Sequence, residues 1–194
     1  MDTEKYLEKT DEDLASLCAS DGAVFEVIIN RYSEKLSRYI RRRSSASEED
    51  VKDILQNVFI KAYMNINSFD GDFKFQSWIY RICHNEIIDW YRKNKSRKED
   101  MRIDFESGVV EKIASDIDVF DIISSNYDAD NIKEALRKLS DKYKELIVLR
   151  YFEDKEYDEI SDILKIPIGT VSGRLNRAKA KLKEIFLEED GKRK

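Results

Sequence analysis

The chain is short of nearly everything that punctuates a polypeptide: 194 residues hold one proline and six glycines. A sheet protein needs frequent turns, and the apolar residues here recur at helical spacing almost throughout, so the expected fold class is all-α. There is no run of about eighteen apolar residues, and the opening MDTEKYLEKTDED is acidic where a signal peptide is basic and then apolar. The expectation is a cytoplasmic chain without membrane insertion. The only two cysteines, Cys18 and Cys83, are far apart on separate apolar stripes, which predicts buried thiols and excludes paired-cysteine spacing for zinc or redox work. The one histidine, His84, has no cysteine or carboxylate cluster at ligand spacing, and the glycines form no phosphate-binding loop. No catalytic constellation, metal or cofactor is expected, and the chain reads as a binding protein, not an enzyme.

What is present is charge, 39% of all residues, with a net value of -5 and strong patterning. A negative total argues against indiscriminate nucleic-acid binding, which scales with the cations presented. Residues 31 to 47 nevertheless carry six Lys or Arg against one acid, and residues 74 to 98 carry seven against two. Residues 99 to 130 then carry ten acids against Arg102 and Lys112. This stretch reads as an acidic linker, in which Val110, Ile113, Ile117 and Phe120 keep the spacing of a short amphipathic helix. Two small helical domains, 1–98 and 131–194, are expected on either side.

The clearest local signal lies between Tyr157 and Lys183. Ile160, Ile163 and Leu164 give one apolar side, with Asp158, Glu159 and Asp162 left to water. Pro167 is expected to end that helix, and Gly169 and Thr170 to open the next. Val171, Leu175, Ala178, Leu182 and Ile185 then form an inward stripe. The opposite face centres on Gly173, Asn176, Arg177 and Ala180, with Arg174 and Lys181 on one flank and Lys179 and Lys183 on the other. From Lys165 to Lys183 there are six cations and no acid. Small residues at the centre and cations at the rim suit a helix lying in a major groove, as in a helix-turn-helix; a solvated basic hairpin gives the same pattern.

In the first half, Leu14 to Ile40 reads as two helices broken near Asp21-Gly22. Ser47-Glu-Glu-Asp50 has the form of a capping sequence. Val51, Ile54, Leu55, Val58, Phe59, Ala62, Tyr63 and Ile66 continue from it as a helical stripe, which leaves Asp53, Gln56 and Asn57 outward. A turn at Asp70-Gly71 carries Phe69, Phe73 and Phe75. The helix after it interleaves aromatics with Arg and Lys, a pattern that suits unstacked bases and a phosphate backbone. The same aromatics also suit a core: Ile79 and Trp90 read as core, while Trp78 and Tyr80 are open on pattern alone. Ile132 to Tyr151 describes two further helices, with Ser140-Asp141 placed to cap the second.

Three of these motifs, in this order, resemble the bacterial sigma factors of the two-domain, extracytoplasmic-function kind. DILQNVFIKAY (Asp53 to Tyr63) is similar to the second-region helix that binds the polymerase clamp, which implies core-polymerase contacts at Asp53, Gln56, Asn57 and Phe59. FQSWIYRICHNEIIDWYRKNK (Phe75 to Lys95) is similar to the promoter-opening, minus-ten-reading helix. It implies a site of Phe73, Lys74, Phe75, Ser77, Trp78, Tyr80, Arg81, Asn85, Asp89, Arg92 and Lys93. The C-terminal stretch resembles the fourth region, with minus-thirty-five contacts at Thr170, Ser172, Arg174, Arg177, Lys179 and Lys181. The implied partners are core RNA polymerase and promoter DNA, and the resemblance leaves an anti-sigma factor open as a third.

Two residues depart from the pattern. Ser140 stands where the family usually has proline. Gly173 replaces a usual lysine, which removes a phosphate or base contact and costs about 1 kcal/mol of helix propensity relative to alanine. The other readings are a one-component regulator that binds duplex DNA alone, and an interaction protein that binds polymerase without reading DNA.

Overall fold

A computed structural model of the protein describes residues 4–6, 8–18, 20–71, 73–94, 107–117, 132 and 134–191. Helices make up the regular structure, and no strand occurs among the described residues. The chain divides into two compact units. The first comprises Met1–Glu99 and Asp162–Leu164, and the second Asp100–Ser161 and Lys165–Lys194.

In the N-terminal unit, α1 (Asp11–Cys18) opens with three acids in its first turn, where the helix dipole favours them. Thr10 starts it, its hydroxyl accepting from the Asp13 amide at 3.1 Å. After a break at Asp21, whose side chain accepts from Ala23 N, α2 (Phe25–Arg43) begins. Ser47 and Asp50 form the expected capping box at the start of α3 (Glu48–Asn65). The fourth helix, α4 (Phe75–Lys93), ends on Arg92 and Lys93.

Residues Val24, Ile28, Leu36, Ile40, Val51, Val58, Ala62, Ile79, Cys83 and Ile87 fill the core. Cys18 and Cys83 are buried free thiols. Tyr63 departs from the stripe expected of it. It is 49% exposed and lies edge-on to Phe25, with its hydroxyl against Gly22. A β-carbon at Gly22 would come within 2.6 Å of that oxygen, so the close approach needs glycine there.

In the C-terminal unit, α5 (Ser107–Asp116) lies within the stretch read as a linker and is docked. Ile113, Ala114 and Ile117 are buried, Tyr151 Oη donates to Asp116 at 2.6 Å, and Lys112 pairs with Asp154 at 2.8 Å. Phe120, grouped with this helix by spacing, lies outside the described residues. Residues 134–138 are helical, and α6 (Asp141–Ile147) follows.

Ser140 occupies the N-cap of α6, but its side chain makes no capping bond; its carbonyl accepts from Tyr143 N and Lys144 N instead. The helix then widens into a π turn, Val148–Phe152. Asp154 at φ 48 reverses the chain into α7 (Tyr157–Leu164), and α8 (Ile168–Gly191) completes the unit. The α8 stripe of Val171, Leu175, Ala178, Leu182 and Ile185 is buried, as its spacing predicts.

Candidate nucleic-acid and partner interfaces

The turn between α7 and α8 differs from its sequence reading. Pro167 does not end α7: the helix stops two residues earlier, where Lys165 takes the left-handed conformation at φ 53. Ser161 holds the turn, its hydroxyl donating to the Ile166 carbonyl at 2.7 Å. Pro167 acts on the next helix, because its carbonyl accepts from Thr170 N at 2.7 Å and Val171 N at 3.1 Å. Glu159, expected in water, is 6% exposed and reaches back to the Glu156 amide at 3.0 Å as half of a capping box. Arg150 braces the same end, pairing with Glu156 at 2.8 Å over the Tyr157 ring.

On α8, Asn176, Arg177, Ala180 and Lys181 are exposed, and Thr170, Ser172, Gly173, Arg174 and Lys179 are half-buried. The Arg177 guanidinium is drawn back along the helix, Nε donating to the Gly173 carbonyl at 3.0 Å. Lys181 pairs with Glu184 at 2.9 Å, which holds its ammonium above the ordinary lysine range. The face presents Gly173 and Ala180 at its centre with Arg177 folded back beside Gly173, and Arg174, Lys179 and Lys181 toward its edges. That distribution suits close backbone approach to a groove floor with phosphates on either wall.

On α3, Asp53, Gln56 and Asn57 are exposed. Phe59, grouped with them by the resemblance, turns inward: it is 9% exposed with its ring edge against Phe25. Ile60 and Met64, 49% and 75% exposed, take its place beside the polar three. The pattern Asp53, Asn57, Ile60, Met64, at steps of four, three and four, was present in the sequence as the complement of the apolar stripe. One outward stripe thus runs from a carboxylate to a thioether.

The start of α4 is an aromatic cluster. The ring centroids of Phe69, Phe75 and Trp78 lie 5.3 to 5.6 Å apart, and Tyr32 packs on Phe75 at 5.8 Å. Phe75, Ser77, Trp78 and Tyr80 are all buried. As the structure stands they shape the surface and are not on it, because the cluster closes against α2. Phe73 is 49% exposed, Lys74, Asn85, Arg92 and Lys93 are exposed, and Arg81 and Asp89 are half-buried.

No side chain of α4 caps its first turn; Glu12 of α1 does so, accepting from the Phe75 amide at 2.8 Å. Asp11 beside it accepts from Tyr32 Oη at 2.5 Å and pairs with Arg31 at 2.7 Å. Burial and that carboxylate push the Tyr32 phenol far above its usual range. Between the helices, Lys61 of α3 bonds to Glu86 of α4, and Asp89 lies 3.7 Å from Lys61 and 3.3 Å from Arg92. The Glu12 cap on Phe75 and the Lys61 to Glu86 bond join residues 63 and 25 apart in sequence, so no local pattern marks them. An open concavity of about 410 Å³ lies beside the same loop, lined by Ala15, Ser16, Ile66, Asn67, Phe69 and Gly71.

Among the described residues no helix is long and apolar enough to cross a membrane, and no group of His, Cys, Asp and Glu is placed to hold a metal ion.

Comparison with known proteins matches residues 28–97 to Sigma-70 region 2 and residues 129–182 to Sigma-70, region 4. The chain is 34% identical over 171 residues to the ECF RNA polymerase sigma factor SigW of Bacillus subtilis (strain 168), covering 84% of this chain and 89% of that protein. It is 30% identical over 165 residues to the ECF RNA polymerase sigma-E factor of Escherichia coli (strain K12), covering 82% and 84%. Among solved structures, CnrH in complex with the cytosolic domain of CnrY superposes with a TM-score of 0.65 at 26% identity, covering 94% of this chain and 99% of that one. The sigma factor RpoE from Bartonella quintana, in complex with the anti-sigma factor NepR, shares the fold at a TM-score of 0.56 and 22% identity, covering 83% and 95%. Likeness that spans both units does not favour a one-component regulator.

Proposed function

This chain belongs to the extracytoplasmic-function sigma factors, and on that premise we propose how its surfaces divide the work of starting transcription. It is an alternative sigma factor directing RNA polymerase to promoters, and it works in the cytoplasm by binding and not by catalysis. The N-terminal domain, 1–98, binds core polymerase and the minus-ten element; the acidic stretch 99–130 is the linker; the C-terminal domain, 131–194, reads the minus-thirty-five element. The observation that carries this division is the presence of three separate exposed faces, on α3, along α4 with the turn before it, and on α8.

Polymerase docks on Asp53, Gln56 and Asn57, with Phe59 supporting the helix from inside. At the minus-ten element, Phe73, Lys74, Arg81, Asn85, Arg92 and Lys93 meet DNA, while Phe75, Ser77, Trp78 and Tyr80 hold the loop and helix in place. Asp89 orients Arg92. An unstacked base can be received beside the Ser68 to Ser77 loop, where stacking on an aromatic ring contributes about 1 to 3 kcal/mol. On α8, Thr170, Ser172 and Arg174 lie near the end that enters the groove, and Arg177, Lys179 and Lys181 hold phosphates. An anti-sigma partner, as in the RpoE complex, fits the same reading.

The test uses the full chain with purified core polymerase. Gln56→Lys with Asn57→Lys should weaken core binding in a pull-down while the fold persists. Arg174→Ala should relax preference at one minus-thirty-five position, and Lys179→Ala should weaken all sequences alike and flatten the salt slope by about one. Unchanged core affinity, or equal losses for both α8 variants on every sequence, would remove the corresponding assignment.

A further inference from the structure

The cations of α8 and its first turn have assigned roles, and the middle of the exposed face has none. Asn176 stands there. Gly173 and Ala180 lie one turn to either side of it, and a β-carbon added at Gly173 would make only an ordinary contact, with Arg177 Nη2 at 3.8 Å. Of the two long side chains nearest it, Arg177 is bonded back to the Gly173 carbonyl and Lys181 forward to Glu184, so neither bonds to Asn176. Asn176 is exposed, and its carboxamide makes no hydrogen bond among the described residues. A short side chain between two residues without bulk is the one that reaches a groove floor first.

A carboxamide presents one acceptor and one donor side by side in a plane. In the major groove only adenine offers the complementary pair on a single base, the N6 amino group as donor and N7 as acceptor. Guanine offers two acceptors and would leave the Asn176 oxygen unpaired. We propose that Asn176 is a specificity-determining residue of the C-terminal unit, reading one adenine of the minus-thirty-five element through N6 and N7. The inference rests on the reading of α8 as the duplex-binding helix and adds the base it selects.

The experiment measures holoenzyme, full chain plus core polymerase, on promoter duplexes in which each minus-thirty-five adenine is replaced in turn by 7-deazaadenine, which lacks the N7 acceptor. Wild type should lose about 2- to 13-fold in affinity at one position, the range of a single hydrogen bond, since the N6 donor remains. Asn176→Ala, which removes both bonds, should bind the unmodified promoter about 5- to 150-fold more weakly, the range of a bidentate base contact, and be indifferent to the modification at that position. Alanine is the better helix former, so the variant should fold at least as well.

If Asn176→Ala keeps the full sensitivity to 7-deazaadenine, or if wild type shows none at any position, the inference is overturned. Lys179→Ala separates this from failure of the underlying reading. Where it still weakens binding with its salt slope reduced, α8 remains the duplex-binding helix and only the role of Asn176 falls; where it too has no effect, the helix is not on the DNA.

Discussion

The Lys61 to Glu86 bond joins a helix proposed to face polymerase to one proposed to face DNA, and its two ends are unequally exposed. Lys61 is 51% exposed and the Glu86 side chain 9%. Removing the lysine as Lys61→Met leaves a carboxylate in a largely dry site without its cation, a loss of about 1 to 3 kcal/mol. Removing the charge at the other end as Glu86→Gln leaves a half-exposed lysine still beside Asp89 at 3.7 Å and keeps an amide oxygen as acceptor. That change should cost about 0 to 1 kcal/mol, the scale of a surface pair. The double change Lys61→Met with Glu86→Met replaces the pair by apolar bulk and should recover most of the larger loss.

Urea unfolding of the free protein reads all three. With a slope of about 2 kcal/mol per molar, Lys61→Met should move the midpoint down by roughly 0.5 to 1.5 M and Glu86→Gln by less than about 0.5 M. The hydrogen bond to Glu86 raises the Lys61 pKa, so the stabilisation is complete below the ordinary lysine value of 10.5 and is lost as pH rises from there through the higher folded value. Equal losses from the two single changes, or a double variant no better than Lys61→Met, would show that burial of the carboxylate does not set the energy.

Gly173→Ala should raise stability by about 1 kcal/mol, since only an ordinary contact with Arg177 awaits the new methyl; a lower thermal midpoint would mean the helix needs the gap. Burial, and next Asp21, push the Cys18 thiol from 9.0 to about 11. At pH 8 that leaves about a hundred-fold less thiolate than an ordinary thiol, so alkylation of the native protein should be slower by at least that factor. Because the folded value is the higher one, the neutral thiol's contribution to stability is intact below pH 9 and is lost between 9 and 11. Tyr151→Phe removes the bond to Asp116 and should free α5, seen as faster hydrogen exchange across Ser107–Asp116 with the rest of the unit unchanged.

Features whose cause lies within a few residues were readable in the sequence. The capping box of Ser47 and Asp50 and the α8 stripe both follow from local spacing. Phe59 and Tyr63 share a flank of the α3 stripe, and spacing alone could not tell that α2 covers the first ring fully and the second only along one edge. The run from Glu145 to Phe152 reads as continuous helix, and nothing in its letters announces a π turn. A lysine gives no signal for the left-handed conformation that glycine would have announced, so the stop at Lys165 was assigned to Pro167. At the candidate site, residue types were legible and their environments were not: Phe75, Ser77 and Tyr80 have the chemistry of a DNA surface and the positions of a core.

The cap that Glu12 places on Phe75 spans 63 residues, which sets an order for events on the ribosome. At about 5 to 20 residues per second, roughly 3 to 13 seconds separate synthesis of the acceptor from synthesis of its donor. Throughout that interval the first helix has made its carboxylate without the amide it serves, and Tyr32 of α2 lacks the Phe75 ring that packs on it. The nascent N-terminal unit therefore gains the edge proposed to face the promoter late, once the first turn of α4 clears the exit tunnel. A ribosome stalled before that point carries α1 to α3 without the surface proposed to open DNA.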